Sequence, residues 1–227
     1  CLDGSRKHRE DPPMVSKVTK GGFVTDGSSD ELTRLHEVFA RYHVVHLPGF
    51  FETALVAEVV ERVGKARFAP RRDEGIALES CMEDEALLSA LFLLMNDPEL
   101  LAWIQRVAGR EPIGSFWGRV YRFEPGPEHH DSWHTDAARS RMVGLSVNLS
   151  RLAYEGGAFQ IREGTSDPLR EITNTGFGDA LLFDIGPALS HRVTSVSGDA
   201  SRTAFAGWFL REPSFLEMLA HRGSQHP

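Results

Sequence analysis

Cysteine is scarce in this chain, which has only Cys1 and Cys81 among its 227 residues. Two thiols cannot build the disulfide framework that stabilises many small secreted domains, so the sequence favours a reducing, cytoplasmic environment. Long apolar runs are also missing, and none approaches the roughly 20 residues that a membrane helix needs. These two absences argue against a disulfide-rich protein and against a membrane-spanning one.

Positive charge is in deficit as well. The formal net charge is −7 and the sequence pI is about 5.8, which argues against a general nucleic-acid binder or a protein that binds anionic membranes. The length suits one domain with a full core. Residues 1–20 are expected to form a loose arm or an expression remnant, and residues 21–227 a single domain. That domain is expected to be helical over about 21–112 and rich in strands over about 113–212.

The first half of the chain has the pattern of helices. Polar residues at 28–31 offer caps for a helix whose apolar residues recur at helical spacing between Leu32 and Phe39. A short strand is expected over His43–Leu47, where Pro48-Gly49 closes it. Three further helices are expected over Thr53–Val63, Asp84–Met95 and Pro98–Val107.

The periodicity changes after Gly114. Phe116–Phe123 alternates in the manner of a strand, and Leu145 and Val147 lie on the opposite face from Ser146. Further strands are expected near residues 142–149, 157–162, 169–172, 179–183, 189–196 and 202–210. A strand carrying His134 brings the total to about eight, which a jelly roll requires. We therefore predict an α+β fold: a double-stranded β-helix (jelly roll) with N-terminal helices packed outside one sheet.

The sequence His134-Thr135-Asp136, followed far downstream by His191, has the residue types of a metal site. Two imidazoles and one carboxylate are the facial triad that holds Fe(II) and leaves the opposite positions open. On an extended strand, residues i and i+2 share a face, so His134 and Asp136 can reach one ion while Thr135 points away. His191 must then approach from another part of the fold.

Arg202 adds a feature that a bare metal site lacks. Its guanidinium is a rigid fork of donors that can bind a carboxylate in two places. It follows His191 closely and begins the apolar run at 203–209. Metal triad and arginine together predict a site for a metal ion and an organic acid.

Several landmarks accompany these residues and have the same order as in a known family. The landmarks are Tyr121, Pro125-Gly126, His134-x-Asp136, Gly156-Gly157-Ala158-Phe159, the segment 178–183, and His191-x-Val193 followed by Gly198 and Arg202. Between about Trp117 and Phe209, the chain resembles the Fe(II)/2-oxoglutarate-dependent dioxygenase superfamily. The resemblance is greatest to its prolyl-4-hydroxylase-like branch. It covers less than half of the chain but includes all the residues expected to carry chemistry.

The resemblance implies an enzyme that uses Fe(II), 2-oxoglutarate as co-substrate and dioxygen, with ascorbate as an optional reductant. His134, Asp136 and His191 would hold the metal, and Arg202 would bind the distal carboxylate of the co-substrate. Ser146, Asn148 and Tyr121 are further candidates for co-substrate contacts. Asn148 falls where prolyl hydroxylases often carry a tyrosine, so Tyr121 is an alternative source of a hydroxyl group.

The reaction expected from the resemblance is hydroxylation of an unactivated C–H bond. Halogenating relatives have a small residue in place of Asp136, and here the carboxylate is present. Desaturation and ring formation stay open, because they depend on how the substrate is placed. A non-catalytic jelly roll that binds a metal or ligand is a third class, and Arg202 argues against it.

The substrate is left open by the sequence. It is expected to be a small molecule, such as an amino acid or a natural-product intermediate, with a residue in a peptide or protein as the alternative. No nucleic-acid or membrane partner is expected, and the oligomeric state stays open. Other residues have either a site role or a structural one. They are the arginines 119, 139, 141 and 162, the loop pair His129-His130 at the expected cavity mouth, and the tryptophans 117, 133 and 208.

Overall fold

The computed structural model describes residues 16–217, apart from positions 27, 74–75, 111, 139 and 175. Residues 1–15 of the expected arm therefore lie outside the described residues. The structure corrects the C-terminal end of that arm, which was expected at residue 20. Lys17–Thr19 form strand β1 and pair with Gly22–Val24 (β2). Val18 is fully buried in the main core. The packed part of the chain thus begins before residue 20.

Four helices lie between residues 29 and 108, close to the expected positions. They are α1 (Ser29–Tyr42), α2 (Thr53–Val63), α3 (Glu85–Met95) and α4 (Pro98–Ala108). The Ser28 side chain accepts a hydrogen bond from the backbone N–H of Glu31 at the start of α1, which confirms the predicted cap. Among the described residues, no single helix is long and apolar enough to cross a membrane. The pair α3 and α4 passes that test only together, across a 64° bend.

Two antiparallel sheets contain ten of the twelve remaining strands of the described residues. The remaining strands are β3 (Val44–Leu47), β4 (Phe68–Asp73), β5 (Ile76–Met82), β6 (Ser115–Phe123), β7 (Arg141–Asn148), β8 (Glu155–Gly156), β9 (Phe159–Glu163), β10 (Arg170–Ile172), β11 (Ala180–Asp184), β12 (Leu189–Val193), β13 (Val196–Ser197) and β14 (Arg202–Leu210). The large sheet has the order β3-β11-β7-β14-β6-β5-β4, and the small one has the order β10-β9-β12. The pair β8 and β13 lies apart from both.

The large sheet separates two hydrophobic clusters, because alternate residues of each strand point to opposite faces. On one face, Leu145, Val147 and Phe205 pack with the helices in the main core. On the other face, Tyr121 and Phe123 pack against the small sheet in a second cluster, which also contains Ala204. This second cluster lies between the two sheets. The predicted α+β architecture, with helices outside one sheet, is confirmed.

Two further features differ from the expectations. The hairpin of β4 and β5 was not expected in the helical half, and it extends the large sheet beyond β6. His134 does not lie in a strand, because it forms only an isolated bridge with His191. The physical reason is that Asp131 and His134 make backbone contacts to β12 one at a time, without a continuous ladder.

Candidate active site

The three side chains of the predicted metal triad meet in space. One potential ligand atom from each of His134, Asp136 and His191 lies within 4.8 Å of the others. His191 Nε2 is 3.4 Å from Asp136 Oδ2, and His134 Nε2 is 3.9 Å from Asp136 Oδ1. Two imidazole nitrogens and a carboxylate at this spacing have the donor set of a facial triad.

Backbone hydrogen bonds hold the two histidines side by side. His134 N–H donates to the carbonyl of His191 at 3.1 Å, and His191 N–H donates to the carbonyl of His134 at 2.9 Å. His134 Nδ1 lies 2.8 Å from the carbonyl oxygen of Ser132, which leaves Nε2 for a ligand. The rings of Phe159 and Phe183 pack around His191. The isolated bridge between His134 and His191 therefore positions the two imidazoles, a role that was expected of a strand.

Asp136 is held by two neighbours besides the histidines. Trp208 Nε1–H donates to Asp136 Oδ2 at 2.6 Å, and Arg141 Nη1 donates to Asp136 Oδ1 at 3.1 Å. The guanidinium of Arg141 also lies over the Trp208 ring, 3.6 Å from its centroid. These contacts fix the orientation of the carboxylate. Thr135 was expected to point away, but it is also among the residues that line the cavity.

The protonation states favour metal binding. Burial alone would raise the pKa of Asp136, but the contacts with His191, Trp208 and His134 lower it to about 2. Burial lowers the pKa of His191, although the neighbouring Asp136 acts in the opposite direction. Near neutral pH, Asp136 is therefore ionised and His191 is neutral, which are the forms that bind a metal.

Replacing Trp208 by phenylalanine should weaken metal binding, although an aromatic ring stays at this position. Loss of the indole N–H leaves Asp136 Oδ2 without that donor, and removing such an outer partner typically costs about 10- to 100-fold in metal affinity. Titration of the purified chain with Co(II) would measure it. Trp117→Phe is the matched control, because Trp117 lies opposite Trp208 on β6 but does not line the metal cavity. Equal affinities in the two variants would contradict the assigned role of Trp208.

Arg202 lies deep in the same cavity and is 3 % exposed. Its Nη1 donates to the Tyr121 hydroxyl at 2.7 Å and its Nη2 to the Ser146 hydroxyl at 3.3 Å. Its Nε is buried without a hydrogen-bond partner. Within the described ranges, no carboxylate forms an ion pair with Arg202. The hydrogen-bond partners of this buried guanidinium are neutral hydroxyls, and Asp131 acts on it through its charge without a salt bridge, so the site suits an anionic ligand.

The cavity that joins the triad to Arg202 has a volume of about 640 Å³. Neighbouring strands supply the hydroxyl groups that contact Arg202, because β14 lies between β6, which carries Tyr121, and β7, which carries Ser146. Gly157 makes room for the long side chain, since a Cβ at that position would lie 2.8 Å from Arg202 Cδ. The unpaired Nε and the neutral hydroxyls fit a dicarboxylate whose far end reaches Arg202. The triad fits an Fe(II) ion at the other end.

Not all predicted site residues are brought to the cavity. Asn148 is 2 % exposed and does not line it, since its Nδ2 donates to the carbonyl of Gly176 and its Oδ1 accepts from Ser150 N–H. The structure therefore does not bring Asn148 to this cavity, and its side-chain amide instead bonds the segment at Gly176. His129 and His130 likewise do not line the cavity. His130 Nδ1 is bound to the carbonyl of Pro127.

The remaining candidates divide in the same way. Arg119, Arg141 and Trp208 line the metal cavity, whereas Arg162 stacks on Trp133 with its guanidinium 4.0 Å from the ring centroid. Trp133 itself contributes to the lining. Two further predicted residues, Trp117 and Arg139, are not in this group: the first lines a neighbouring cavity, and the second lies outside the described residues.

Asp131 also lines the cavity, and it was not predicted from the sequence. Its Oδ1 is buried and has no hydrogen-bond partner. Burial raises the pKa of Asp131 to about 6, although the charges of His134 and Arg202 act in the opposite direction. The signal for this residue was weak, because an aspartate in a polar loop before the triad resembles an ordinary surface residue.

The raised pKa of Asp131 predicts that the stability of the metal-free chain depends on pH. A raised folded-state pKa means that ionisation of Asp131 opposes folding, so its penalty is complete above about pH 6 and fades as pH falls toward 4. Asp131→Asn should therefore raise the melting temperature at pH 7 and raise it less at pH 5. Thermal unfolding of both proteins at the two pH values would measure the difference, and a constant difference would contradict the assignment. Asp136 acts with the opposite sign, but only below about pH 4.

Comparison with known proteins gives a match to a family model and similarity to solved structures. Residues 118–210 match the family model described as the 2OG-Fe(II) oxygenase superfamily. No curated protein shows significant sequence similarity to the chain. The matched range contains the whole triad and Arg202, and it begins at β6 and ends with β14.

Solved structures resemble the chain over most of its length. A 2OG-Fe(II) oxygenase family oxidoreductase from Burkholderia pseudomallei is 14 % identical with a TM-score of 0.64, over 87 % of this chain and 97 % of that one. A prolyl hydroxylase from Trichoplax adhaerens, in complex with a hypoxia inducible factor peptide fragment, is 15 % identical with a TM-score of 0.60, over 89 % and 99 %. The epimerase SnoN from nogalamycin biosynthesis is 14 % identical with a TM-score of 0.59, over 81 % and 84 %. At these identities the likeness establishes the fold, and it confirms the predicted jelly roll.

Proposed function

Because residues 118–210 match the model of the 2OG-Fe(II) oxygenase superfamily, we propose that this chain is an oxygenase of that superfamily and that it hydroxylates an unactivated C–H bond of a small molecule. His134, Asp136 and His191 would hold Fe(II), with 2-oxoglutarate and dioxygen as the co-substrates. One observation carries this proposal: the three side chains of a possible metal triad and a buried guanidinium whose Nε has no hydrogen-bond partner line the same cavity. A jelly roll that only bound a metal would have no need of that guanidinium.

An Fe(II) ion held by the triad would supply the redox chemistry, in which one dioxygen is consumed, one of its atoms going to succinate as 2-oxoglutarate loses carbon dioxide and the other to the hydroxylated substrate. The side chains of this protein supply position and charge. Arg202, with the Tyr121 hydroxyl beside it, binds the distal carboxylate of the co-substrate. Trp208 and Arg141 hold the Asp136 carboxylate in its orientation. Phe159 and Phe183 pack around His191 and keep water from that side of the site.

Asp136 also favours oxygenation over halogenation. On a bound metal its carboxylate would take a ligand position that a halide would need, and its negative charge would oppose an incoming anion. The low pKa of Asp136 keeps that charge in place at neutral pH. The expected product therefore contains oxygen from dioxygen and no halogen, even in excess chloride.

A small-molecule substrate is supported by the size of the cavity. A volume of about 640 Å³ lies within the range of roughly 300–1,000 Å³ that is usual for small-molecule sites. A residue in a peptide is the second candidate, because the similar Trichoplax structure holds a peptide. The hypothesis of a small-molecule substrate is also compatible with the structural similarity to the epimerase from nogalamycin biosynthesis.

The test is a turnover assay with two substrate pools. The purified chain, Fe(II) and 2-oxoglutarate are incubated in labelled dioxygen, either with a low-molecular-mass metabolite fraction or with a peptide library. We expect the metabolite fraction to stimulate succinate formation and one metabolite to gain a labelled oxygen atom. Stimulation by peptides alone would replace the first candidate by the second. The absence of stimulation by either pool would contradict both.

A further inference from the structure

Asp131 is an acid of the metal cavity whose position is fixed by the backbone. Its N–H donates to the carbonyl of Val193 at the end of β12, at 3.0 Å. Three residues later, His134 is bridged to His191 of the same strand. Asp131 lines the metal cavity together with the triad and Arg202. Its carboxylate is therefore part of the wall of the proposed active site.

The Asp131 side chain has no direct partner. Within the part of the chain that the structure describes, it forms no hydrogen bond and no ion pair. Asp136, the other acid in the lining, accepts hydrogen bonds from Trp208 and Arg141. Oδ1 of Asp131 is shielded from solvent and unpartnered. The residue as a whole is only partly buried and lines the cavity, so the second oxygen, Oδ2, is the one that a ligand can meet.

The charges around Asp131 compensate it only from a distance. Burial raises its pKa, and the charges of His134 and Arg202 lower it only in part. Arg119 acts in the same direction as these two, and Glu79 opposes them. A carboxylate that is shielded from water and has no hydrogen-bond donor is costly, and a ligand that brought a donor would offset that cost.

The co-substrate cannot supply the missing donor. The carboxylates and the keto group of 2-oxoglutarate are acceptors, and its distal carboxylate is assigned to Arg202. The neighbouring guanidinium of Arg119 is directed to Glu79. Water can serve Asp131 while no substrate is bound. A substrate that displaces this water must bring its own donor, because the carboxylate would otherwise lose its hydrogen bond.

We propose that Asp131 is a substrate-recognition residue and that the substrate is a small molecule with a hydroxyl or amino group that donates a hydrogen bond to it. The donor group and the oxidised carbon would then lie in the same cavity. This inference rests on the proposed function and narrows its substrate class. It also gives a function to an acid that destabilises the free chain at neutral pH, because the substrate restores the hydrogen bond that the fold leaves unmade.

Three related probes test for this preference. Benzylamine and benzyl alcohol carry a donor, whereas benzyl methyl ether keeps an oxygen and has none. The chain is loaded with Mn(II) and saturating 2-oxoglutarate without oxygen, at a pH well above the pKa of about 6 of Asp131. Mn(II) speeds the relaxation of nearby probe protons, so NMR titration measures the affinity of a probe that binds beside the metal. We expect at least one donor probe to bind about 10- to 100-fold more tightly than the ether, as one hydrogen bond to a charged group implies. The tighter of the two identifies the donor as amino or hydroxyl.

Two variants make the result specific to Asp131. Asp131→Leu removes both acceptor oxygens and should abolish the preference for a donor. Asp131→Asn keeps one acceptor oxygen without the charge and should reduce the preference to a few-fold. An amine that bound to the metal instead would keep its preference in both variants. Asp167→Asn is the matched control, since Asp167 is exposed and does not line the metal cavity.

Equal binding of the three probes, no binding of any of them, or a donor preference that survives in Asp131→Leu would overturn the proposal. Loss of 2-oxoglutarate binding in both Asp131 variants would also overturn it, because the residue would then support the cavity as a whole. The titration of the unaltered chain with 2-oxoglutarate separates this failure from failure of the proposed function. If 2-oxoglutarate binds in a metal-dependent way and the donor preference is absent, only the substrate class is wrong. If 2-oxoglutarate does not bind, the proposed function itself is contradicted.

Discussion

His191→Ala is expected to abolish metal-dependent turnover of 2-oxoglutarate and to leave the fold intact. The substitution removes one of three ligand side chains, and His191 also has an ordered setting between Phe159 and Phe183. Even loss of an outer partner of a ligand costs about 10- to 100-fold in metal affinity, so loss of the ligand itself should cost more than about 100-fold. Metal affinity by titration and succinate formation would be measured together.

His130→Ala is the control for this experiment. His130 lies near the triad in sequence, but its Nδ1 is bound to the carbonyl of Pro127 and it does not line the cavity. Its removal should leave metal affinity unchanged. Because His191 is buried, His134→Ala serves as a second variant with a more exposed side chain, and thermal unfolding shows whether each variant is folded. If His130→Ala lost the metal and His191→Ala kept it, the triad would be wrongly assigned.

The second large effect is expected from Arg202→Lys, which should raise the concentration of 2-oxoglutarate needed for half-saturation. An ammonium group cannot reproduce the planar fork that also holds Tyr121 and Ser146. Loss of one charge-assisted hydrogen bond costs about 1.5–3 kcal/mol, which corresponds to roughly 10- to 100-fold in affinity. Isothermal titration of the metal-loaded variant with 2-oxoglutarate measures this affinity directly.

Arg211→Lys provides the matched control, because Arg211 follows β14 on the exposed surface and lines neither cavity. The metal affinity of Arg202→Lys should stay near that of the unaltered chain, since Arg202 is not a ligand. Unchanged affinity for 2-oxoglutarate in Arg202→Lys would show that the distal carboxylate is bound elsewhere. A parallel loss of metal affinity would point to damage of the whole cavity instead.

Local sequence pattern predicted the regular elements well. The helix at Thr53–Val63 and the strand at Arg202–Leu210 have the predicted bounds, because each has a periodic apolar face and clear end signals. The hairpin of β4 and β5 was missed for a physical reason. Its first strand contains Pro70 and two arginines, so it lacks the alternation of a half-buried strand. Its pairing with β6 is a tertiary contact that no local pattern records.

The candidate site was predictable where residue type alone limits the chemistry. Two histidines, an aspartate and an arginine in this order predicted the cluster that the structure brings together. The route to that geometry differs, because reciprocal hydrogen bonds between His134 and His191 replace the expected strand. Asp131 depends on burial, which is a property of the fold, and so could not be found from the sequence. One partner of Asn148, the carbonyl of Gly176, likewise comes from a segment distant in sequence.

If one cavity holds a metal on His134, Asp136 and His191 and a dicarboxylate on Arg202, the metal and 2-oxoglutarate must bind together. The decisive measurement is a calorimetric titration with 2-oxoglutarate, with and without Mn(II) and in the absence of oxygen. We expect one 2-oxoglutarate per chain, bound far more tightly when Mn(II) is present. Binding of equal strength with and without the metal, or no binding in either case, would contradict it.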